Sequence, residues 1–328
     1  MATLNDTAAS LARLERMSAI QLRSLLTQDP RQAAAWVAAA AEQGLPEAQV
    51  RLGRMLLEGQ GIPKDEATAL AWFQKAAEQG DAEAMNMQGR CYENGWGTLA
   101  DFAQAAGCFL LAAQSGHAWA QYNLGHLFLN GQGVKQDFDQ AFYWYGMAAQ
   151  QGHARAMNLV GHCYEQGWSV ACDPGRAAAW YRRSAEGGYA RGQYNWASCL
   201  AQCGQLNEAA HWYKQAAHHG TQGVRHAVAQ TLLSSRHPSF HLLALHVLNW
   251  CCERAGTADD FYRYGLALLQ GYVGPPDRQH SMAWLGKAAR LGHARAKEEL
   301  IALGAEPEAE HNTRPNWRHR LQRMISAG

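Results

Sequence analysis

Residues 117–152 read HAWAQYNLGHLFLNGQGVKQDFDQAFYWYGMAAQQG. Apolar residues recur at spacings of three and four in both halves of this stretch, which is typical of amphipathic helices. Between the halves, Gly131 and Gly133 offer positive-φ positions that end a helix, and Asp137 is placed to cap the next one. The stretch therefore predicts a helical hairpin.

The same pattern recurs along the chain, mostly at intervals of 36 residues. The glycine that ends the second helix of each hairpin is found at Gly44, Gly80, Gly116, Gly152, Gly188, Gly220, Gly256 and Gly292. One interval is four residues shorter, because the loop around Cys203 lacks the Gly-x-Gly insertion. The regularity predicts a stack of helical hairpins, each contacting its neighbours.

Each predicted first helix carries a small residue near its middle: Gly53, Gly89, Gly125, Gly161, Ala197, Ala229 and Gly265. A mid-helix glycine costs about 1 kcal/mol relative to alanine, so its recurrence predicts a close approach of two helices. Eight positions before each helix-ending glycine lie Trp36, Trp72, Cys108, Trp144, Trp180, Trp212, Leu248 and Trp284. We interpret these tryptophans as filling the space between hairpins, rather than as an aromatic cage for a cofactor.

The pattern A-x-x-x-LG-x-x-Y/F…G-x-G…D-x-x-x-A-x-x-W…AA-x-x-G resembles the SEL-one-like subclass of tetratricopeptide repeats, over roughly residues 30–304. This resemblance implies an all-α fold, a right-handed α-solenoid of antiparallel helix pairs. It also implies a role in scaffolding and in binding peptides or proteins.

We expect a single α-solenoid over residues 1–328. Residues 1–44 are predicted to form a degenerate N-terminal capping repeat. Residues 45–292 hold about seven repeats, irregular around 221–256, and residues 293–328 form a capping helix with a basic tail. A second period of 72 residues is superimposed, because Ala84–Trp96 is echoed by Ala156–Trp168. It indicates either a duplicated two-repeat block or alternate repeats that present one surface to an extended partner.

Composition and charge narrow the classes of function. The net charge of +1 gives no broad electrostatic case for nucleic acid or an anionic membrane. No apolar run reaches the roughly 20 residues of a membrane span, and no secretory signal is recognisable. We therefore expect a cytoplasmic monomer, with reduced cysteines because Cys91, Cys163 and Cys199 share one core position.

Recognisable catalytic motifs were not found, so the chain is predicted to be no enzyme and to need no cofactor. Neither H-E-x-x-H nor G-x-S-x-G occurs. The alternative is a metal-dependent sensor or enzyme that uses His126, His162 and Glu165. The adjacent pair Cys251 and Cys252 and the Cys199-x-x-x-Cys203 spacing are only weak metal signals.

The leading hypothesis is a non-enzymatic adaptor or scaffold. By the geometry that the resemblance implies, its partner, an extended peptide or another protein, would lie in a concave groove formed by the first helices. Asparagines there would hold a peptide backbone, arginines would receive carboxylates, and aromatic rings would anchor apolar side chains. The predicted groove residues are Asn86, Arg90, Trp119, Tyr122, His126, Arg155, Asn158, His162, Arg191 and Tyr194. A solvated inner face without a ligand is the simpler alternative.

Overall fold

The computed structural model describes residues 29–254 and 256–304. Every regular element in this part of the chain is a helix, and consecutive helices pack in pairs, which confirms the predicted all-α solenoid class. In chain order, the first eleven helices are α1 (Pro30–Glu42), α2 (Pro46–Glu58), α3 (Glu66–Glu78), α4 (Ala82–Asn94), α5 (Phe102–Gln114), α6 (Ala118–Asn130), α7 (Phe138–Gln150), α8 (Ala154–Gln166), α9 (Pro174–Glu186), α10 (Ala190–Gln202) and α11 (Leu206–His219). They are followed by α12 (Gln222–Leu233), α13 (Pro238–Arg254), α14 (Ala258–Gln270), α15 (Arg278–Arg290) and α16 (Ala294–Ala302).

The chain divides into two compact units, one ending at Trp212 and the other beginning at Tyr213. In the first unit, α2 packs on α3, α4 on α5, α6 on α7 and α8 on α9. In the second unit, α12 packs on α13 and α14 on α15. The expected single solenoid stays a prediction, and most of the predicted N-terminal cap and the basic tail lie outside the described residues.

The mid-helix glycines of the first helices face the partner helix, as the sequence predicted. A Cβ added to Gly125 would lie 2.8 Å from the ring of Tyr145 on α7. The same holds at Gly89 against Phe109, where the distance is 2.6 Å. The ring in this socket belongs to the residue after the tryptophan position, and it is fully buried. The tryptophans lie beside this contact and are half-buried, except Trp144, which is 9 % exposed.

The two glycines of each Gly-x-Gly loop have different structural roles. Gly131 has φ +67° and ends α6, as predicted, and Asp137 accepts a hydrogen bond from the backbone N–H of Gln140. Gly133 has φ +68°, and a Cβ there would overlap the backbone of Phe102 at the start of α5. The second glycine therefore lets one hairpin rest on the preceding one.

Buried amides join neighbouring first helices in the first unit. Asn123 Nδ2 donates to Asn86 Oδ1 at 3.0 Å, and 72 residues later Asn195 Nδ2 donates to Asn158 Oδ1 at 2.8 Å. Gln121 is 1 % exposed and donates to the carbonyl of Ala113 on α5. The 72-residue period thus includes buried asparagine contacts that stabilise the stack, so this part of the period does not require a binding partner as its explanation.

The hairpin of α12 and α13 departs from the pattern. Helix α13 has 17 residues, whereas α7 has 13. The buried face of α13 contains Leu248, while Asn249, the expected equivalent of Tyr145, is partly exposed. The buried face of α13 is therefore shifted by one residue relative to the helix-ending Gly256, when compared with α7.

Candidate functional site

The exposed side chains of α2, α4, α6, α8 and α10 form a row across the first unit, and we call this row the first-helix surface. The residue before each of these helices is its N-cap. His117 and His153 cap α6 and α8 through Nδ1, which accepts the backbone N–H of Ala120 and Ala156. Burial is the main cause that lowers the pKa of His153 to about 4, so its ring stays neutral.

An arginine and four rings meet on the first-helix surface, and we call Trp119, Tyr122, His153, Arg155 and Tyr189 the arginine–aromatic cluster. The Arg155 guanidinium carbon lies 5.3 Å from the Trp119 ring centroid and 5.7 Å from that of Tyr189. Burial raises the pKa of the nearby Tyr122 hydroxyl, and the Arg155 guanidinium opposes this shift. Trp119 is 46 % exposed and packs edge-on against His153. The cluster holds a cation and an apolar face side by side, open to solvent.

The N-terminal turns of the first helices change charge along the row. Glu83 on α4 pairs with Arg54 and with His117, which holds the pKa of Glu83 below its usual value. In α8 and α10 the equivalent position holds Arg155 and Arg191, against the preference for anions at a helix N-terminus. Neither arginine forms an ion pair with a carboxylate of the described residues. This end of the surface is positively charged.

Two predicted groove residues are buried. Asn86 and Asn158 are 4 % and 2 % exposed, and each accepts its bond from the asparagine of the next repeat. The expectation that their amides face the groove was wrong, because the next first helix along the chain covers both side chains. They stabilise the stack and are not open to a ligand.

The remaining predicted residues are spread over the row. Arg90 and His126 are exposed, and Arg90 lies over Trp96 at 5.1 Å. Arg191 is exposed, whereas Tyr194 is half-buried. The structure therefore brings together Trp119, Tyr122 and Arg155, and the His126 ring packs edge-on against Tyr122 at 6.0 Å between centroids.

The suggested metal site of His126, His162 and Glu165 does not converge. His162 Nδ1 lies 3.2 Å from Glu165 Oε2, and Asn195 Nδ2 lies 3.4 Å from His162 Nε2. His126 Nδ1 lies 2.6 Å from the amide of Asn130. Among the described residues, these three do not form a group with metal-ligand geometry.

The structure also bears on the expectations of reduced cysteines and of no membrane-spanning segment. All eight cysteines fall in the described part of the chain and are free thiols. Burial raises the pKa of Cys91 to about 12, which makes its thiol a core group and a poor nucleophile. Across residues 29–254 and 256–304, no helix combines the length and the apolar character needed to span a bilayer.

The paired helices, glycine sockets and capped loops define a helical-repeat protein. The Sel1 repeat model matches residues 16–45, 46–81, 82–117, 120–153, 154–189, 190–221 and 262–293. The chain therefore belongs to the Sel1 repeat family.

Two solved structures are similar to the chain. Protein c5321, a protective antigen present in uropathogenic Escherichia coli strains and displaying an SLR fold, is 25 % identical, with a TM-score of 0.57 over 86 % of this chain and 70 % of that one. A Sel1 repeat protein from Oxalobacter formigenes is 28 % identical, with a TM-score of 0.54 over 84 % of this chain and 70 % of that one. No curated protein matches the sequence. Folds of this class commonly mediate protein–protein interaction and are typically non-catalytic scaffolds.

Sequence reasoning missed His153 and Tyr189. Both follow a helix-ending glycine, at the N-cap position where Asp81 and His117 stand in other repeats. The cap rule could have placed them at the start of the first helices. Tyr189 makes no capping bond, and its ring packs on Arg155 instead.

Proposed function

We propose that the protein is a non-enzymatic adaptor that binds an extended segment of a partner protein along the first-helix surface. The observation that carries the proposal is the arginine–aromatic cluster. A solvent-exposed tryptophan beside an arginine without a carboxylate partner is the composition of an interaction hot spot. We infer that the bound segment carries an acidic group next to an apolar side chain.

The charge pattern supports an acidic group over the starts of α8 and α10. Cations at the second position of a helix are unfavourable, because they face the positive end of the helix dipole. Arg155 and Arg191 both stand there, whereas the equivalent residues in α2 and α4 are Glu47 and Glu83. An incoming carboxylate would offset this repulsion and form charge-assisted hydrogen bonds with the guanidinium groups.

Stacking prepares Arg155 for such a contact. Its guanidinium group lies against the rings of Trp119 and Tyr189, so less rotamer freedom is left to lose on binding. The open face of Trp119 provides the adjacent apolar contact. These features favour an arginine that holds a ligand over one that only covers the surface.

The experiment is selection of a random peptide display library on the immobilised full chain. We expect enrichment of peptides with Asp, Glu or a free C-terminal carboxylate next to an apolar residue. Binding of a selected peptide should fall at least about tenfold in Trp119→Ala and in Arg155→Ala, a loss of roughly 1.4 kcal/mol or more.

The chain offers a matched control on a second helix. Arg183 lies over the Trp180 ring at 4.3 Å on α9, so it repeats the same pair away from the first-helix surface. Arg183→Ala and Trp180→Ala should bind the peptide as the wild type does. Selection without a common acidic feature, or equal losses in the control pair, would contradict the proposal.

A further inference from the structure

Three side chains with metal-binding atoms meet in the second unit: His226 on α12, Cys251 on α13 and Asp260 on α14. One ligand atom of each lies within 4.8 Å of the other two. Cys251 and Asp260 are 2 % and 0 % exposed, and the His226 side chain is 14 % exposed. Within residues 29–254 and 256–304, no other trio of His, Cys, Asp or Glu meets this geometry.

The two ring nitrogens of His226 face different carboxylates. Nε2 lies 2.6 Å from Asp260 Oδ1, and Nδ1 lies 3.4 Å from Asp259 Oδ2. Asp259 is itself held by Arg263 at 2.7 Å. A carboxylate on the outer nitrogen is the usual support of a metal-binding histidine, because it keeps the proton on that nitrogen and leaves the inner one free to coordinate.

We propose that His226 Nε2, Cys251 Sγ and Asp260 Oδ1 bind a divalent transition metal ion, with zinc as the best match. A thiolate with an imidazole and a carboxylate is a donor set for zinc and excludes magnesium and calcium, which prefer oxygen ligands alone. Three protein ligands leave the fourth tetrahedral position to water or to a ligand.

Metal binding requires small movements and a balanced loss of protons. Ligand atoms bonded at about 2.0–2.3 Å to a tetrahedral ion lie about 3.3–3.7 Å apart, so His226 and Asp260 would separate by less than about 1 Å. The Cys251 thiol gives up its proton to solvent. The His226 proton takes the Nδ1 position facing Asp259, and the ion replaces the hydrogen bond to Asp260.

The surrounding bonds can stay in place while the ion binds. Asp260 Oδ2 accepts from the backbone N–H and the hydroxyl of Thr257 and from Gln222 Nε2, which preserves the capping box at the start of α14. Burial and the nearby Asp260 carboxylate raise the pKa of the Cys251 thiol, and the Arg225 guanidinium opposes this shift only in part. The competing account is a metal-free polar joint among α12, α13 and α14, in which His226 only donates to Asp260.

The test is titration of the untagged, chelator-stripped full chain with Co²⁺, followed by competition with Zn²⁺. We expect about one ion per chain and a thiolate-to-cobalt charge-transfer band that zinc removes. Cys251→Ser should abolish the band, and His226→Gln should weaken cobalt binding at least about tenfold. Asp259→Asn, which changes only the outer carboxylate, should weaken binding about 10–100-fold.

Exposed residues of the same types serve as matched controls. Cys172→Ser and His237→Gln should leave cobalt binding unchanged. X-ray absorption of the zinc-loaded wild type should find one sulfur ligand, which decides the matter even where a variant does not fold. The proposal would be overturned by any of three results: no binding near one equivalent, a charge-transfer band that survives Cys251→Ser, or a metal coordination shell with no sulfur or several sulfurs. The metal-free contact among α12, α13 and α14 would then be the correct account.

Discussion

The three hairpins from α4 to α9 and the hairpin α12–α13 hold their paired helices together with different side chains. In the former, a glycine accepts a buried ring, and pairs of neutral asparagine amides join neighbouring first helices. In the latter, Ala229 takes the glycine position, and the buried polar group nearby is the ionisable trio of His226, Cys251 and Asp260. Neutral joints only hold a stack together, whereas an ionisable joint can respond to a ligand. The trio of the second unit therefore differs in chemistry from the asparagine pairs of the first.

Removing the ring from a glycine socket should have the largest effect on the first unit. Tyr145 is 1 % exposed, and Tyr145→Ala should lower the free energy of unfolding by about 3–5 kcal/mol because it leaves a cavity. Tyr145→Phe should cost little or stabilise, since the Tyr145 hydroxyl has no hydrogen-bond partner in the part of the chain that the structure describes. Denaturant unfolding measures both. As a matched comparison, Tyr181→Phe should be destabilising, because it removes a 2.8 Å bond to Glu165. Equal effects of the two Tyr→Phe changes would contradict this account.

Adding a methyl group should change stability in opposite directions at two glycines of the same hairpin. Gly125→Ala places a methyl group 2.8 Å from the Tyr145 ring and should destabilise by about 1–3 kcal/mol. Gly146→Ala, which meets no atom within 4 Å, should stabilise by about 0.5–1 kcal/mol through helix propensity. Gly265→Ala in the second unit should lose less stability than Gly125→Ala, because its nearest contact, Leu285 Cγ, lies at 3.0 Å and not at 2.8 Å. Thermal melts in which Gly125→Ala and Gly146→Ala shift the same way would show that the socket is assigned wrongly.

Removing an asparagine that joins two first helices should have the next largest effect on stability. Asn195→Ala leaves the buried Asn158 carbonyl without its donor and should cost about 1–3 kcal/mol. The exposed Asn130→Ala, outside any such joint, should change the free energy of unfolding by less than about 0.5 kcal/mol. Chemical denaturation compares the two, and a similar small change in both would mean that the joint contributes nothing.

The smallest expected effect concerns pH. The folded chain keeps His153 neutral down to about pH 4, whereas an unperturbed histidine protonates near its ordinary value of 6.5. The unfolded chain therefore binds more protons between these values, and the free energy of unfolding should fall as pH drops from about 6.5 to about 4. Because His153 is partly exposed, we expect a loss of about 1–2 kcal/mol.

The variant His153→Asn keeps an N-cap residue and should remove this part of the pH dependence. The exposed His237→Asn is the control and should leave the pH dependence unchanged. An unchanged stability profile in His153→Asn would show that another group is responsible.

Periodicity could predict the fold because each repeat buries the same face, so Gly125 and its equivalents reveal the helix contact directly. It could not assign the ring partner, since Trp144 and Tyr145 are adjacent and both are bulky. The site was harder still. Trp119 and Arg155 followed from counting along a helix, but the burial of Asn86 depends on how far the neighbouring helix covers it. His226, Cys251 and Asp260 lie on three helices of the irregular region, where no spacing rule brings them together.

The central claim is that Arg155 and Arg191 hold an acidic group of the partner on the first-helix surface. The most direct test is the double variant Arg155→Glu with Arg191→Glu, measured against an acidic peptide selected on the wild type and against the same peptide with Lys in place of its acid. Glutamate suits the second position of a helix, so the double variant should melt no lower than the wild type. We predict that it loses the acidic peptide at least about tenfold and gains the lysine peptide, while the control Arg182→Glu with Arg183→Glu does neither. Unchanged binding of the acidic peptide, or loss without any gain for the lysine peptide, would contradict the claim.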